Sequence, residues 1–423
     1  MNENKKALTS VGFTGDLSFS GYFSGHENDD ELFDSGIKDF LNSNDYNVIN
    51  FESPVTPCRI TKKRRLVHRC GPEALQFVKR NIKNPVLSFA NNHMMDYGYI
   101  GVIDSMDAAN EAKIPFIGIG LNIDEACRYV ILGDEVKVGV LAVEYKKYLI
   151  ATKHYGGPLH ESKKDYIKNA IQTLKTQVDY VVMVYHGGDE FMHAPMPFTR
   201  KQLKQYLRWG CDVVVAHHPH TVQGFEIVGQ KAIFYSLGNF VFDTDYQRVM
   251  DDTEYGMLLK IDFGKDGFSF SGLPTFIDRQ NNKVCTGEKL DYFTDISKEN
   301  YRKFWSTEAY RQLDVKQRAK DLKELEQQKR FERTEAERVR VEQLQMAAEM
   351  KISAADKSDE EISDAADAAM VDPDEAEAEV KKKRTFRAVA KTVYKKVVVK
   401  RNENYKSFVR NIGRTRTKLF YKK

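Results

Sequence analysis

The chain has 423 residues, of which 41% are hydrophobic and 11% aromatic, and its formal net charge is +4 at pH 7. This length and composition allow one large packed domain of about 250–300 residues with additional extensions. The five cysteines are odd in number and irregularly spaced, which argues against a disulfide framework and favours free thiols in a reducing compartment.

The N-terminus, MNENKKALTS, contains no apolar stretch of signal-peptide length. A run of about twenty apolar residues, as a transmembrane helix requires, occurs nowhere in the sequence. These two features predict a cytoplasmic protein, with a peripheral position on the inner membrane face as an open alternative.

Strand-like and helix-like segments alternate up to about residue 290. We expect helices at 73–81, 99–112, 163–177 and 199–209, and strands at 115–118, 136–144, 231–235 and 255–263. In the third of these helices, Ile167, Ile171 and Leu174 recur at helical spacing. The alternation predicts an α/β sandwich with helices on its outer faces.

Five short polar motifs are distributed over the first half of the chain, and four of them follow an apolar, strand-like run. The motifs are Gly15-Asp16, Asn50-Phe51-Glu52, Asn91-Asn92-His93-Met94-Met95-Asp96, His186-Gly187-Gly188-Asp189-Glu190 and His217-His218-Pro219-His220. Strands that end in acidic, amide and imidazole side chains gather those groups along one edge of a sheet. The pattern therefore predicts a metal site.

Carboxylate, amide and imidazole ligands suit divalent ions such as Mn²⁺, Fe²⁺, Zn²⁺ or Mg²⁺. Two such ions roughly 3.5–4 Å apart can hold a phosphoryl group and activate water at neutral pH. So close a pair needs a bridging carboxylate, for which Glu52 is the candidate. His93 is the candidate to protonate a leaving oxygen, with Asp96 available to orient it.

The order of the motifs resembles the calcineurin-like metallophosphoesterase fold and, more closely, the CapA family of capsule and poly-γ-glutamate synthesis proteins. The resemblance covers roughly residues 10–280. The residues that carry it are Thr14-Gly15-Asp16, Asn50-Phe51-Glu52-Ser53-Pro54, Ala90-Asn91-Asn92-His93 with Asp96-Tyr97-Gly98, Tyr185-His186 with Glu190, His217-His218-Pro219-His220 and Tyr235-Ser236-Leu237-Gly238-Asn239-Phe240.

The resemblance implies a role for each matched residue. Asp16 and His220 would bind the first metal ion, and Glu52 would bridge to the second. Asn92, His186 and His218 would bind that second ion, and His93 with Asp96 would be catalytic. Glu190, Ser236 and Asn239 would line the substrate pocket.

Two departures from the family pattern bear on these roles. Ser18 stands where metallophosphoesterases often have a histidine, so the first metal could be weakly held. Gly187 stands where a tryptophan often follows the second-metal histidine, which predicts a more open pocket wall. A basic segment that includes Arg64 and Arg65 could attract an anionic substrate to the rim, although an ordinary solvated loop is an equal alternative.

Simpler interpretations remain open. Any one of these histidines could be a hydrogen-bonded structural residue, and the domain could keep the fold while its metal site has decayed to a binding role. The remaining histidines match no motif and are interpreted as surface or core groups; they are His26, His68, His154, His160 and His193.

The predicted domain, 1–295, is followed by three segments of different composition. Residues 308–350 are rich in Gln, Glu, Lys and Arg and predict a charged helix without a clean heptad repeat. Residues 351–380 are acidic and Ala-rich and predict a disordered linker. Residues 381–423 are strongly basic and predict an amphipathic tail that binds an anionic membrane surface or an acidic partner such as a capsule synthase. A solvated tail is an alternative, and nucleic acid is the least favoured ligand.

Two functional hypotheses follow. The first is a metal-dependent phosphoesterase-like hydrolase that acts on an anionic or phosphorylated glycan, a lipid-linked sugar or a polymer. The second is a non-enzymatic assembly protein that binds a capsule synthesis complex at the membrane.

Overall fold

The computed structural model describes residues 8–61, 66–146, 149–291, 293–297 and 301–302. Arg64, Arg65 and the three predicted C-terminal segments lie outside the described residues. The strands are β1 Thr9–Gly21, β2 Tyr46–Phe51, β3 Pro85–Ser88, β4 Phe116–Ile117, β5 Ile119–Gly120, β6 Val130–Leu132, β7 Val138–Glu144, β8 Gly157–Pro158, β9 Tyr180–His186, β10 Val213–His217, β11 Val222–Val228, β12 Lys231–Leu237, β13 Asn239–Asp243, β14 Tyr255–Gly264, β15 Gly267–Asp278 and β16 Lys283–Thr286. The helices are α1 Ser35–Ser43, α2 Glu73–Asn81, α3 Gly98–Ala112, α4 Ile123–Ala126, α5 Lys164–Lys175, α6 Pro197–Trp209 and α7 Asp245–Arg248.

The strands form two large sheets. The first has the order β16-β15-β14-β1-β2-β3-β4, with β13 also paired to β1. Its strands β1 to β4 are parallel and are connected through α1, α2 and α3, whereas β14, β15 and β16 are antiparallel. The second sheet has the order β11-β12-β10-β9-β7-β6, and its central strands are parallel. The carboxyl ends of several parallel strands therefore meet at one edge of each sheet.

Alternating side chains divide the core into layers. In β9, Val182 and Val184 pack into the core between the sheets, while Val181 and Met183 pack with α5 and α6. In the first sheet, Val48 belongs to the core between the sheets and Ile49 to the core beneath α1, α2 and α3. The result is a helix–sheet–sheet–helix sandwich, so the predicted fold, a β-sandwich flanked by helices, is confirmed.

Most predicted elements agree with the structure to within a few residues. The helix at 73–81 coincides with α2, and the segment 136–144 becomes β7 with a start two residues later. The strand predicted at 115–118 is shortened to Phe116–Ile117. Proline at 115 has no N–H to donate, and Gly118 turns away with a φ of +86°.

Other features bear on the predicted extent and environment. All five cysteines are free thiols, as the sequence predicted. Ile296 and Tyr301 are buried, so packed residues continue beyond the expected domain limit at 295. Among the described residues, no helix combines the length and the apolar character that a membrane crossing requires.

Candidate metal centre

The polar motifs converge where the parallel strands end. Asp16 lies in β1, Glu52 follows β2, and His186 is the last residue of β9. His218 and His220 lie in the loop that connects β10 to β11. All five side chains are buried, which is unusual for ionisable groups unless they are paired or bind a metal.

Glu52 is shared between two potential ligand sets. One set is Glu52, His186 and His218, and the other is Asp16, Glu52 and His220. Within each set, one ligand atom per residue lies within 4.8 Å of the others. A carboxylate common to two adjacent sets is the arrangement that a bridging ligand requires.

The buried polar atoms of these residues fit a bound cation. Within the described part of the chain, neither carboxylate oxygen of Glu52 has a hydrogen-bond partner, and the same is true of Asp16 Oδ2. Both ring nitrogens of His218 also lack a partner there. Burying such atoms without partners is costly, and coordination by a divalent ion would remove that cost.

Two asparagines link the ligands. Asn92 Oδ1 lies 2.8 Å from His186 Nε2, which is itself 3.3 Å from Glu52 Oε1. Asn50 Nδ2 donates to Asp16 Oδ1 at 2.8 Å and lies 3.2 Å from His186 Nδ1, so Asn50 joins the two sheets across the site. Sequence reasoning placed Asn50 in a motif but gave it no role. Its position in β2 could have indicated a role, because Asn50 lies on the same face of the strand as Val48, which packs between the two sheets.

The loop that carries His218 and His220 has an unusual backbone. His218 has a φ of +97° and His220 a φ of +57°, in the left-handed region that residues with a side chain rarely adopt. Such conformations cost on the order of 1–3 kcal/mol each and are concentrated at functional sites. Here they direct two imidazoles to Glu52 and Asp16 from one short loop.

His217, which the sequence analysis did not select as a ligand, also faces the site. Its Nδ1 lies 3.6 Å from Asp16 Oδ1 and has no hydrogen-bond partner among the described residues. The alternation in β10 could have revealed it, because Val213 and Val215 share its face and pack between the sheets.

The electrostatics of the site differ between its candidate ligands. Burial lowers the pKa of His218, and Lys146 together with the neighbouring histidines lowers it further, so its ring is neutral and able to coordinate. Burial raises the pKa of Asp16, but the nearby imidazoles of His217, His220 and His186 outweigh this, and the net pKa is lowered. Burial lowers the pKa of His220, but Glu52 and Asp16 dominate and raise it to about 9. A divalent ion bound to the same carboxylates would compete with that proton.

His93 and Asp96 form a tight pair beside the ligands. His93 Nδ1 lies 2.7 Å from Asp96 Oδ2, and His93 Nε2 lies 3.8 Å from Glu52 Oε1. The carboxylate therefore orients the ring so that the other nitrogen faces the ligand cluster.

Three residues expected to line the substrate pocket, Glu190, Ser236 and Asn239, have partners within the protein. Ser236 accepts a hydrogen bond from the Gly238 backbone N–H at 3.2 Å, and Asn239 Oδ1 lies 2.9 Å from His220 Nδ1. Both are fully buried, so they support the wall of the site. Glu190 forms an ion pair with Lys146 at 2.7 Å.

Lys146 is a half-buried cation that sequence reasoning missed. Glu190 Oε1, its partner, also lies 3.5 Å from His218 Nε2, which brings Lys146 to the margin of the ligand cluster. Nothing in its immediate sequence distinguishes it from other lysines.

The expectation that Gly187 opens the pocket wall is wrong. A Cβ atom at Gly187 would lie 2.3 Å from the Cβ atom of Tyr145 and 3.0 Å from the Tyr185 ring. Tyr145 therefore already occupies the space that a larger side chain at 187 would need.

The chain is similar to known capsule synthesis proteins. The family model described as "Bacterial capsule synthesis protein PGA_cap" matches residues 10–244. The capsule biosynthesis protein CapA of Bacillus anthracis is 33% identical over 224 residues, which are 51% of this chain and 54% of that protein. The PGA biosynthesis protein CapA of Bacillus subtilis strain 168 is 29% identical over 253 residues, or 58% of this chain and 66% of that protein. The chain thus spans between about half and two thirds of the length of these relatives.

Two solved structures also align with the chain. A protein of Thermus thermophilus is 9% identical with a TM-score of 0.36, and the alignment covers 62% of this chain and 98% of that protein. A 5'-nucleotidase from Candida albicans is 11% identical with a TM-score of 0.37, and the alignment covers 64% of this chain and 53% of that protein. At these scores the alignments say nothing about activity. The family model, by contrast, spans more than half of the chain and includes every candidate metal ligand, and the chain belongs to the PGA_cap family of bacterial capsule synthesis proteins.

Proposed function

We propose that the protein is a metal-dependent phosphoesterase-like hydrolase that acts in capsule or exopolysaccharide biosynthesis of the poly-γ-glutamate type. The observation that carries this proposal is the buried Glu52, whose two oxygens have no hydrogen-bond partner among the described residues and which belongs to both ligand sets. Two divalent ions, of Mn, Fe, Zn or Mg, would be held by Asp16 and His220 on one side and by Asn92, His186 and His218 on the other.

The chain's own groups support hydrolysis. When bound, such ions polarise a phosphoryl group and lower the pKa of a water molecule. His93 would hold a proton at Nε2 for the departing oxygen, since Asp96 pairs with Nδ1. His217 and Asn239 would keep Asp16 and His220 in position.

The substrate class follows from charge and from the names of the relatives. Lys146 at the margin of the site would attract an anionic group. Capsule and PGA biosynthesis are the processes named for the relatives, which suggests a phosphorylated glycan, a lipid-linked intermediate or an anionic polymer.

Metal content and phosphoester hydrolysis of the purified chain test this proposal together. We expect near two transition-metal ions per chain and turnover of a generic phosphodiester or phosphomonoester. Replacement of Asn92 or His218 by Ala should abolish turnover while the protein stays folded, whereas His154→Ala, at an exposed position, should not. Full activity in the first two variants would refute the assignment.

The second candidate is a non-enzymatic assembly protein of a capsule synthesis complex. The basic composition of residues 381–423 and Ser18 at the position where a metal-binding histidine is common favour it. This role predicts that deletion of 381–423 releases the protein from anionic membranes or from a synthase partner. Unchanged fractionation after the deletion would count against it.

A further inference from the structure

His68 lies inside the candidate site, although its sequence context indicated only a surface or core residue. It is 6% exposed, and its backbone N–H donates to Asp96 Oδ2 at 2.7 Å. The same oxygen lies 2.7 Å from His93 Nδ1. One carboxylate oxygen therefore connects the backbone at residue 68 with the ring of His93.

The ring of His68 also restricts His93 directly. The two ring centroids are 4.0 Å apart, with an interplanar angle of 67°. Phe242 packs against His68 at 5.1 Å and against His220 at 4.7 Å. His68 is thus held between His93 and an aromatic ring that contacts a candidate metal ligand, and any rotation of the His93 ring would have to displace it.

Two hydroxyl groups fix the His68 ring in turn. Ser18 Oγ lies 2.8 Å from Ser20 Oγ, and Ser20 Oγ lies 2.6 Å from His68 Nδ1. Both serines are buried and follow Asp16 along β1 at intervals of two residues. Ser18 stands where metallophosphoesterases often have a histidine. Here its hydroxyl is linked through Ser20 to the ring of His68, which comes from a distant part of the sequence.

A histidine that only fills space would not need this arrangement. An apolar ring could pack against His93 and Phe242 equally well, and the polar groups of the two serines would then have no reason to be buried there. The contacts instead select one orientation of the His68 ring, and that ring limits the orientation of His93.

We propose that His68 is a positioning residue of this site: its ring, aligned by Ser18 and Ser20, keeps His93 in the orientation that Asp96 and Glu52 require. A catalytic role for His93 rests on the proposed hydrolase function, but its positioning by His68 does not. The proposal therefore needs a measurement on the His93 ring itself in addition to turnover.

The direct test is NMR of the full chain with ¹⁵N-labelled histidine, both without added metal and with Zn²⁺, which is diamagnetic. In the wild type we expect a low-field proton resonance from His93 Nδ1–H bonded to Asp96. His68→Phe, which keeps the backbone N–H and an aromatic ring, should shift or broaden this resonance. Ser20→Ala should produce a smaller change of the same kind. Ser20→Thr keeps a hydroxyl at this position and should retain the wild-type resonance. His154→Phe, at an exposed position, is the matched control and should leave the resonance unchanged.

Turnover supplies a second readout if the hydrolase proposal holds. Misplacing a catalytic group by about 1 Å costs on the order of a hundredfold in rate, so we expect kcat of His68→Phe to fall by roughly tenfold to a hundredfold with little change in KM. An unchanged His93 resonance in folded His68→Phe and Ser20→Ala would overturn the proposal. Absence of any turnover in the wild type would instead refute the hydrolase function and leave the NMR test intact. If His68→Phe does not fold, the Ser20 pair decides the question alone.

Discussion

Replacement of Glu52 by Gln should remove most of the stabilisation that the proposed metal binding would give to this fold. Gln keeps the volume and one oxygen acceptor, but it lacks the charge and the second oxygen that would let one side chain serve both ligand sets. Loss of a supporting residue around a metal typically costs 10–100-fold in affinity, so loss of the shared ligand should cost at least about a hundredfold.

The size of the effect follows from mass action. With free metal at a hundred times its dissociation constant, each bound ion adds about 2.7 kcal/mol to the free energy of unfolding of the wild type. After a hundredfold loss of affinity, the same metal concentration equals the dissociation constant, and the gain falls to about 0.4 kcal/mol. The difference of about 2.3 kcal/mol per ion corresponds to a Tm change of about 4 °C per ion for a domain of about 290 residues.

The assay is thermal unfolding of both proteins in chelator and in excess Mn²⁺, together with metal content by mass spectrometry. Glu144→Gln is the matched control. Like Glu52, Glu144 is buried and its two carboxylate oxygens have no hydrogen-bond partner among the described residues, but it lies outside both ligand sets. Burial raises the pKa of Glu144 because it penalises the charged form, and a neutral Gln removes that penalty. The reasoning would be refuted if Glu52→Gln kept near two ions per chain and the full metal-dependent rise in Tm.

Three further outcomes are expected. Asn239→Ala should weaken metal binding by about 10–100-fold in calorimetric titration, because Asn239 Oδ1 lies 2.9 Å from His220 Nδ1 and orients that ring; unaltered affinity would contradict this role. Glu226→Gln should lower the free energy of unfolding by about 1–3 kcal/mol at pH 7, because it breaks a half-buried network with two basic side chains. Burial raises the pKa of Glu226, but its basic partners lower it overall. Its contribution to the free energy of unfolding is therefore complete above about pH 4.3 and is lost as pH falls further. In urea unfolding, the free energies of the wild type and Glu226→Gln should differ less at pH 3 than at pH 7. Gly187→Ala should destabilise by about 1–3 kcal/mol, since its Cβ atom would overlap Tyr145, and Tyr145→Gly in the same chain should relieve that clash in the same unfolding assay.

Sequence patterns predicted the layers of the fold because burial imposes a period on the side chains. The spacing of Ile167, Ile171 and Leu174 identified α5, and all three residues are buried beneath the second sheet. Polar motifs after apolar runs predicted candidate ligands at strand ends, since parallel strands end together. This part of the site can be read from local sequence. The expected single sheet edge is wrong, because Asp16 and Glu52 come from the first sheet whereas His186 and the loop with His218 come from the second.

The surroundings of the ligands depend on contacts that local sequence does not record. His68 contacts Ser20, which is 48 residues away in the sequence, and Lys146 contacts Glu190, which is 44 residues away. Gly187 predicted an open pocket wall because Tyr145, which fills the space beside it, follows a different strand and is distant in the sequence. Which side chain fills a space is decided by tertiary packing, and a motif on one strand does not specify it.

The left-handed backbone at His218 and His220 has a consequence for protein engineering. Glycine or asparagine fits such φ values with less strain, so replacements there can raise the thermal stability of the metal-free protein while they remove the imidazoles. A screen for heat resistance of the metal-free protein alone would therefore tend to select replacements of these two histidines, beginning with His218 and its φ of +97°. Libraries built on this scaffold should hold both positions constant or select for metal retention at the same time.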